Sequence, residues 1–193
     1  RLGYEHAKNI ANYVTGAELT AICDTDAARV AQVAEELNVP YTYTDVAEMV
    51  KNPELDAIVV VSPSMFHAEH IKLALDAGKH CFCDKPLDTT VEKCKLAEKA
   101  VEAHPDKVFM LGFMRRFDAS FREVKRLVDS GAIGDLVQIH SNTRGPSKPR
   151  PWMYDIKKSN GILAEVNSHD IDAVRWMAGS DIETVYAGAG NFR

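Results

Sequence analysis

Three side chains in this sequence have the types and spacing for proton chemistry on an alcohol. Lys85 follows the apolar run His80-Cys81-Phe82-Cys83 and precedes Pro86. A cation at the end of a strand can hold a hydroxyl, lower its pKa and stabilise the alkoxide that develops as the proton leaves. His169 supplies an imidazole, whose unperturbed pKa of about 6.5 suits a general base near neutral pH. Glu165 lies one helical turn before His169, so the two share a face, and its carboxylate can hold the imidazole or bind a neighbouring hydroxyl. Plainer readings stand beside these. A lysine before proline is commonly a surface turn residue, and a histidine on a helix is commonly structural.

Asp24 and Gly3 form a second group. Asp24 ends an apolar run 21 residues after Gly3. In a dinucleotide fold the third glycine of the phosphate turn lets the first helix pack tightly on the sheet. An acid about 20 residues further on accepts hydrogen bonds from the adenosine ribose and repels a 2′-phosphate. The pair predicts NAD rather than NADP, although a strand-terminal aspartate also serves as a helix cap. His67 and His70 are three residues apart but lack further convincing ligands, so no metal site is expected. Cys81 and Cys83 alternate on one strand and read as packing residues. Of Arg115 and Arg116, one is expected in a salt bridge. Trp152 and Tyr154 either wall a pocket or pin their proline-rich loop.

These residues need elements to position them. The first half alternates short apolar runs with helical periodicity. Strands are expected over 17–23, 39–43, 57–61, 80–83 and 108–113. The β-branched run 57–61 reads as a strand buried on both faces. Helices are expected over 4–14, 25–37, 44–50 (capped by Thr44), 64–77 (capped by Ser64 and ended by Gly78), and from a capping box of Thr89 with Glu92. This is the βαβ rhythm of a doubly wound parallel sheet. After residue 113 the pattern changes to a helix over 118–130, a strand over 136–142, a loop over 144–152, helix over 162–177 and a strand over 183–187. The expected division is a nucleotide domain over 1–113 and the start of a second domain over 114–193. The glycine turn has only its last glycine here and no strand before it, so the sequence reads as a domain entered one strand late, followed by an unfinished one.

Composition narrows the function classes. The 193 residues carry a net charge of −5, which disfavours nucleic-acid binding, since phosphate neutralisation needs a basic face. No apolar run approaches the roughly 18–20 residues of a membrane helix. Four cysteines without a CxxC pair fit reduced thiols in a cytoplasmic setting.

Several segments in order resemble the Gfo/Idh/MocA family of nucleotide-dependent sugar and polyol oxidoreductases. Arg1-Leu2-Gly3 looks like the end of the family's glycine loop, and Ser62-Pro63-Ser64-Met65-Phe66-His67 like the turn where the cofactor crosses. Cys83-Asp84-Lys85-Pro86-Leu87 resembles its (E/D)KP motif, and 112–118 its entry into the second domain. The segment 161–172 resembles the helix G-x3-D-x3-H-x-I-D, with Glu165 where the family has aspartate.

The resemblance implies a Rossmann domain joined to an α+β domain with a mostly antiparallel, open-faced sheet. Lys85, Glu165 and His169 are then the catalytic set, and Arg1, Leu2, Gly3, Asp24, Ser62, Pro63, Ser64, His67, Asp84 and Lys85 line the NAD site. Substrate contacts fall to Lys85, Arg115, Glu165 and His169. The implied activity is oxidation of a ring secondary alcohol of a polyol or sugar, most similar to the inositol 2-dehydrogenases. Other sugars, or a non-catalytic regulator of the same family, are the alternatives. A homo-oligomer, dimer or tetramer, is implied for the full-length protein.

Overall fold

The computed structural model describes residues 2–143, 154–188 and 190. The β-branched run forms β3 (Ala57–Val60), which pairs in parallel with β4 (His80–Cys83), itself parallel to β5 (Phe109–Leu111). A second parallel pair joins β1 (Ala21–Cys23) and β2 (Tyr41–Tyr43). Parallel neighbours require crossover connections, and helices supply them. These are α2 (Ala27–Leu37) between β1 and β2, α4 (His67–Asp76) between β3 and β4, and α5 (Val91–Ala103) between β4 and β5. The helix α1 (Leu2–Asn12) precedes β1, and the short α3 (Val46–Met49) follows β2.

The core forms where α4 and α5 cover one face of β3–β4–β5. Ile58, Val60, Ile71, Ala74, Leu75, Cys81, Cys83 and Ala97 are all buried there. Complete burial of Ile71 and of Leu75 contributes on the order of 2 kcal/mol each. The expectation that β3 is buried on both faces fails. Ile58 and Val60 point into the core, while Ala57 and Val59 on the opposite face stay exposed. In the adjoining strand Phe82 meets α1 through His6, at 5.6 Å between ring centroids.

The helix starts differ from the sequence reading for local reasons. Ser64 does not cap a helix. Pro63 leads into a 3-10 turn, Ser64–Phe66, and α4 begins at His67 without a cap from its own sequence. The carboxylate of Asp88 does that work from a distance, accepting the Ala68 N–H at 3.2 Å. The cap of α5 is Thr90 rather than Thr89, because the Thr89 N–H and hydroxyl both donate to Asp88 Oδ1. Asp45 rather than Thr44 caps α3, accepting the Ala47 N–H at 2.8 Å.

In the second half, a 3-10 turn (Met114–Phe117) leads into α6 (Ala119–Asp129), capped by Asp118. Then come α7 (Ile156–Ser159), a π turn (Leu163–Asn167) and α8 (Ser168–Ala178), which ends at Gly179 with φ +64°. The expected strands at 136–142 and 183–187 are irregular. Neither joins a ladder among the described residues, and Val137, Val185 and Tyr186 are exposed. A strand pattern without a partner strand has nothing to hold it. The loop over 144–152, with Trp152, lies outside the described residues. Among the described residues no helix is long and apolar enough to cross a membrane.

Candidate active site

The site grows from the carboxyl ends of β3, β4 and β5. Hydrogen bonding continues one residue past the strands, with Asp84 N–H donating to Val60 O at 2.9 Å and Gly112 N–H to Cys83 O at 2.8 Å. A side chain at Gly112 would place its Cβ 2.8 Å from Phe82 Cζ and 3.3 Å from Asp84 Oδ1. Glycine is what lets β5 leave the sheet beside Asp84. The next peptide, Lys85–Pro86, is cis, and the Lys85 N–H donates to Asp84 Oδ1 at 2.9 Å.

Lys85 then reaches across to the second half, where Nζ donates to the backbone carbonyl of Glu165. That carbonyl belongs to the π turn, whose looser i→i+5 register departs from the α-helical pattern. One turn on is His169, with the Phe113 ring edge-on at 6.4 Å. Lys85, distant in the chain from Glu165 and His169, therefore meets them at one place.

The electrostatics suit proton transfer. Partial burial lowers the His169 pKa from its usual value, and the charges of Lys85 and Arg115 lower it further. At neutral pH the imidazole is then uncharged and able to accept a proton. Burial raises the Glu165 carboxyl, while Lys85 and His67 pull it back. His169 Nδ1 and Glu165 Oε1 are buried with no hydrogen-bond partner among the described residues. Buried polar atoms seldom stay unpaired, so each of these two retains hydrogen-bonding capacity.

Arg115 was expected at the substrate, but its guanidinium is taken up elsewhere. It donates to Asp170 Oδ1 at 2.8 Å and to Thr143 Oγ1 at 3.0 Å, over the ring of Phe121. Asp170 Oδ1 also accepts from Ser141 and, at 2.6 Å, from Thr143. Burial pushes the Asp170 carboxyl up, but these three donors outweigh it and bring the pKa down to about 2. Arg116 makes a two-pronged pair with Asp172, Nε to Oδ2 at 3.0 Å and Nη2 to Oδ1 at 2.7 Å. Both arginines therefore brace α8, where one salt bridge was expected.

The other expected cofactor residues divide. Ser62, Asp84 and Lys85 gather at the carboxyl edge, with Ser62 Oγ 2.9 Å from His70 Nδ1. Pro63 and Ser64 form the following turn. Asp24 stands exposed after β1, and one of its oxygens accepts the Asp26 N–H at 3.0 Å. It is thus a turn residue with its carboxylate still open to a ligand. Leu2 and Gly3 lie in the first turn of α1, and a Cβ at Gly3 would meet Val61 Cβ at an ordinary 3.8 Å. Close packing therefore does not by itself require glycine there. Arg1 lies outside the described residues. His67 is not open to a cofactor, being buried with both ring nitrogens against backbone carbonyls. The sequence reading missed the Asp170 network and the Asp88 cap. The adjacent bases Arg115-Arg116 opposite the Asp170-x-Asp172 pair were a usable signal for the first; the second had none.

Parallel strands, crossover helices and polar side chains collected at the strands' carboxyl edge define a Rossmann-like α/β protein. Residues 1–113 match the model of the GFO_IDH_MocA oxidoreductase family with NAD-binding Rossmann fold, and residues 121–193 match the GFO/IDH/MocA C-terminal domain. The chain belongs to this family.

It is 37% identical to Inositol 2-dehydrogenase 3 of Saccharopolyspora erythraea, over 94% of this chain and 52% of that protein. It is also 37% identical to the scyllo-inositol 2-dehydrogenase (NAD(+)) of Bacillus subtilis, over 96% of this chain and 53% of that one. The crystal structure of scyllo-inositol dehydrogenase from Lactobacillus casei with bound NAD(H) and scyllo-inositol superposes with TM-score 0.79 at 36% identity, over 93% of this chain and 54% of that one. The chain thus spans about half the length of the curated relatives it matches.

Proposed function

We propose that the protein carrying this chain is an NAD-dependent oxidoreductase that converts a ring secondary alcohol of a cyclic polyol or sugar to a ketone, in the manner of an inositol 2-dehydrogenase. The observation that carries this reading is the meeting of Lys85, Glu165 and His169 beside the carboxyl ends of β3 and β4. Lys85 holds the reacting hydroxyl and stabilises the alkoxide, and His169 takes its proton. Glu165 binds a neighbouring hydroxyl. Leu2, Gly3, Asp24, Ser62, Pro63, Ser64 and Asp84 would hold the nicotinamide nucleotide, which when bound accepts the hydride from the alcohol carbon. Arg115 acts from behind, fixing α8 and lowering the His169 pKa.

In this reading residues 1–113 hold the nucleotide and residues 114–193 begin the substrate domain. The full protein works on a small molecule as a homo-oligomer in the cytoplasm. Its free cysteines suit a reducing compartment, and burial pushes the Cys81 thiol up to about 12, which keeps it inert.

The test is NAD reduction by the full-length protein against a panel of inositols and aldoses. Turnover of a cyclic polyol is expected, with Lys85→Ala abolishing it while NAD still binds. Intact turnover in Lys85→Ala would remove the catalytic assignment. Tight NAD binding with no substrate in the panel would favour a regulator.

A further inference from the structure

His67 opens α4 and is 2% exposed. Its ring lies between two backbone carbonyls, with Nδ1 2.6 Å from Pro86 O and Nε2 2.8 Å from Ser62 O. A neutral imidazole carries one N–H and one lone pair, whereas the imidazolium carries two N–H groups. In a neutral ring, one nitrogen lone pair would face a carbonyl lone pair at hydrogen-bonding distance. Only the doubly protonated ring makes both contacts attractive.

We propose that His67 is held as an imidazolium and is a positioning residue for the reaction, tying the turn after β3 to the loop after β4 so that Lys85 is fixed in place. Lys85 immediately precedes Pro86, whose carbonyl His67 holds, so freedom at that carbonyl is freedom at the lysine. This inference rests on the role proposed for Lys85.

Two further ties join the same segments. Asp88 Oδ2 accepts the Ala68 N–H at 3.2 Å, and Lys93 Nζ donates to Met65 O at 2.6 Å. They hold the fold when His67 is changed but do not reach Pro86. The charges around the ring come from several elements. Asp88 and Lys93 flank the start of α4, and Lys85 and Asp84 lie in the loop after β4. His70 lies one turn along α4, and Glu165 faces the ring from the π turn. The Asp88 side chain is fully buried and pairs with Lys93 at 3.9 Å.

Two measurements on the full-length protein test this. The first is the nitrogen-15 NMR spectrum of histidine-labelled enzyme at neutral pH, with the His67 signals assigned by their loss in His67→Gln. Both ring nitrogens should be protonated, with or without substrate. One protonated and one bare nitrogen would overturn the proposal.

The second is the steady-state turnover of a His67→Gln variant. Glutamine's single amide nitrogen cannot span two carbonyls, so His67→Gln should lower kcat on the order of 100-fold, as a misplaced catalytic group does. KM for NAD should change little. An unchanged kcat, or a KM for NAD that rises in step with the loss of kcat, overturns the positioning role. If the parent oxidises no polyol, the proposed function falls, and the NMR result alone decides the state of His67.

Discussion

Removing the charge of Asp170 while keeping its shape is a sharp test of how α8 is held. In Asp170→Asn the oxygen that receives Arg115, Ser141 and Thr143 remains, and the new amide takes the place of Oδ2, which has no partner among the described residues. The change therefore removes charge and little else. The network lowers the carboxyl from 3.8 to about 2. That is a little under two pKa units at about 1.4 kcal/mol each, so the charged form contributes about 2 kcal/mol to folding.

Because the folded pKa is depressed, this contribution is complete above the unfolded value. It disappears as pH falls through the folded one, between about pH 4 and pH 2. Urea unfolding of parent and variant, followed by fluorescence of Trp176 on the same helix, should show a gap of about 2 kcal/mol at neutral pH. The gap should close as the medium is acidified across that window. Equal stability at neutral pH, or a gap that persists at the acid end, would refute the assignment of the lowered pKa to this network.

Other outcomes follow from the same geometry. The acid limb of the turnover profile should lie below the ordinary histidine value because His169 is lowered, and Arg115→Gln should move it upward; an unmoved limb would show that Arg115 does not act on His169. Asp24→Ala should raise KM for NAD and narrow the preference over NADP, read by titrating both coenzymes against a fixed polyol. Gly112→Ala should cost about 1–3 kcal/mol through overpacking against Phe82, with Phe82→Leu restoring most of the loss in thermal unfolding.

How much of this was legible in the sequence depended on range. Local periodicity located β3, α2 and α5 because the apolar spacing that buries a face is itself local. It misjudged the exposed face of β3, since Val59 depends on what lies above it rather than on its neighbours in the chain. The Thr89 cap failed by one residue because Asp88 had already engaged that threonine. The alternation at 136–142 and 183–187 was real as pattern but had no partner among the described residues. In the candidate site, motif and helical spacing pointed to Lys85, Glu165 and His169, and the structure places Lys85 against the π turn that carries Glu165, one turn before His169. The double grip of His67 was not, because its partners sit 5 and 19 residues away on separate loops.

The contact between Lys85 and the Glu165 carbonyl has a consequence for substitution at position 165. The lysine's anchor is main chain, so it does not depend on which side chain occupies position 165. An exchange between aspartate and glutamate there leaves the main-chain acceptor of the ammonium group in place. The side chain at position 165 is in that sense free to change, while the placement of the Lys85 ammonium follows the backbone.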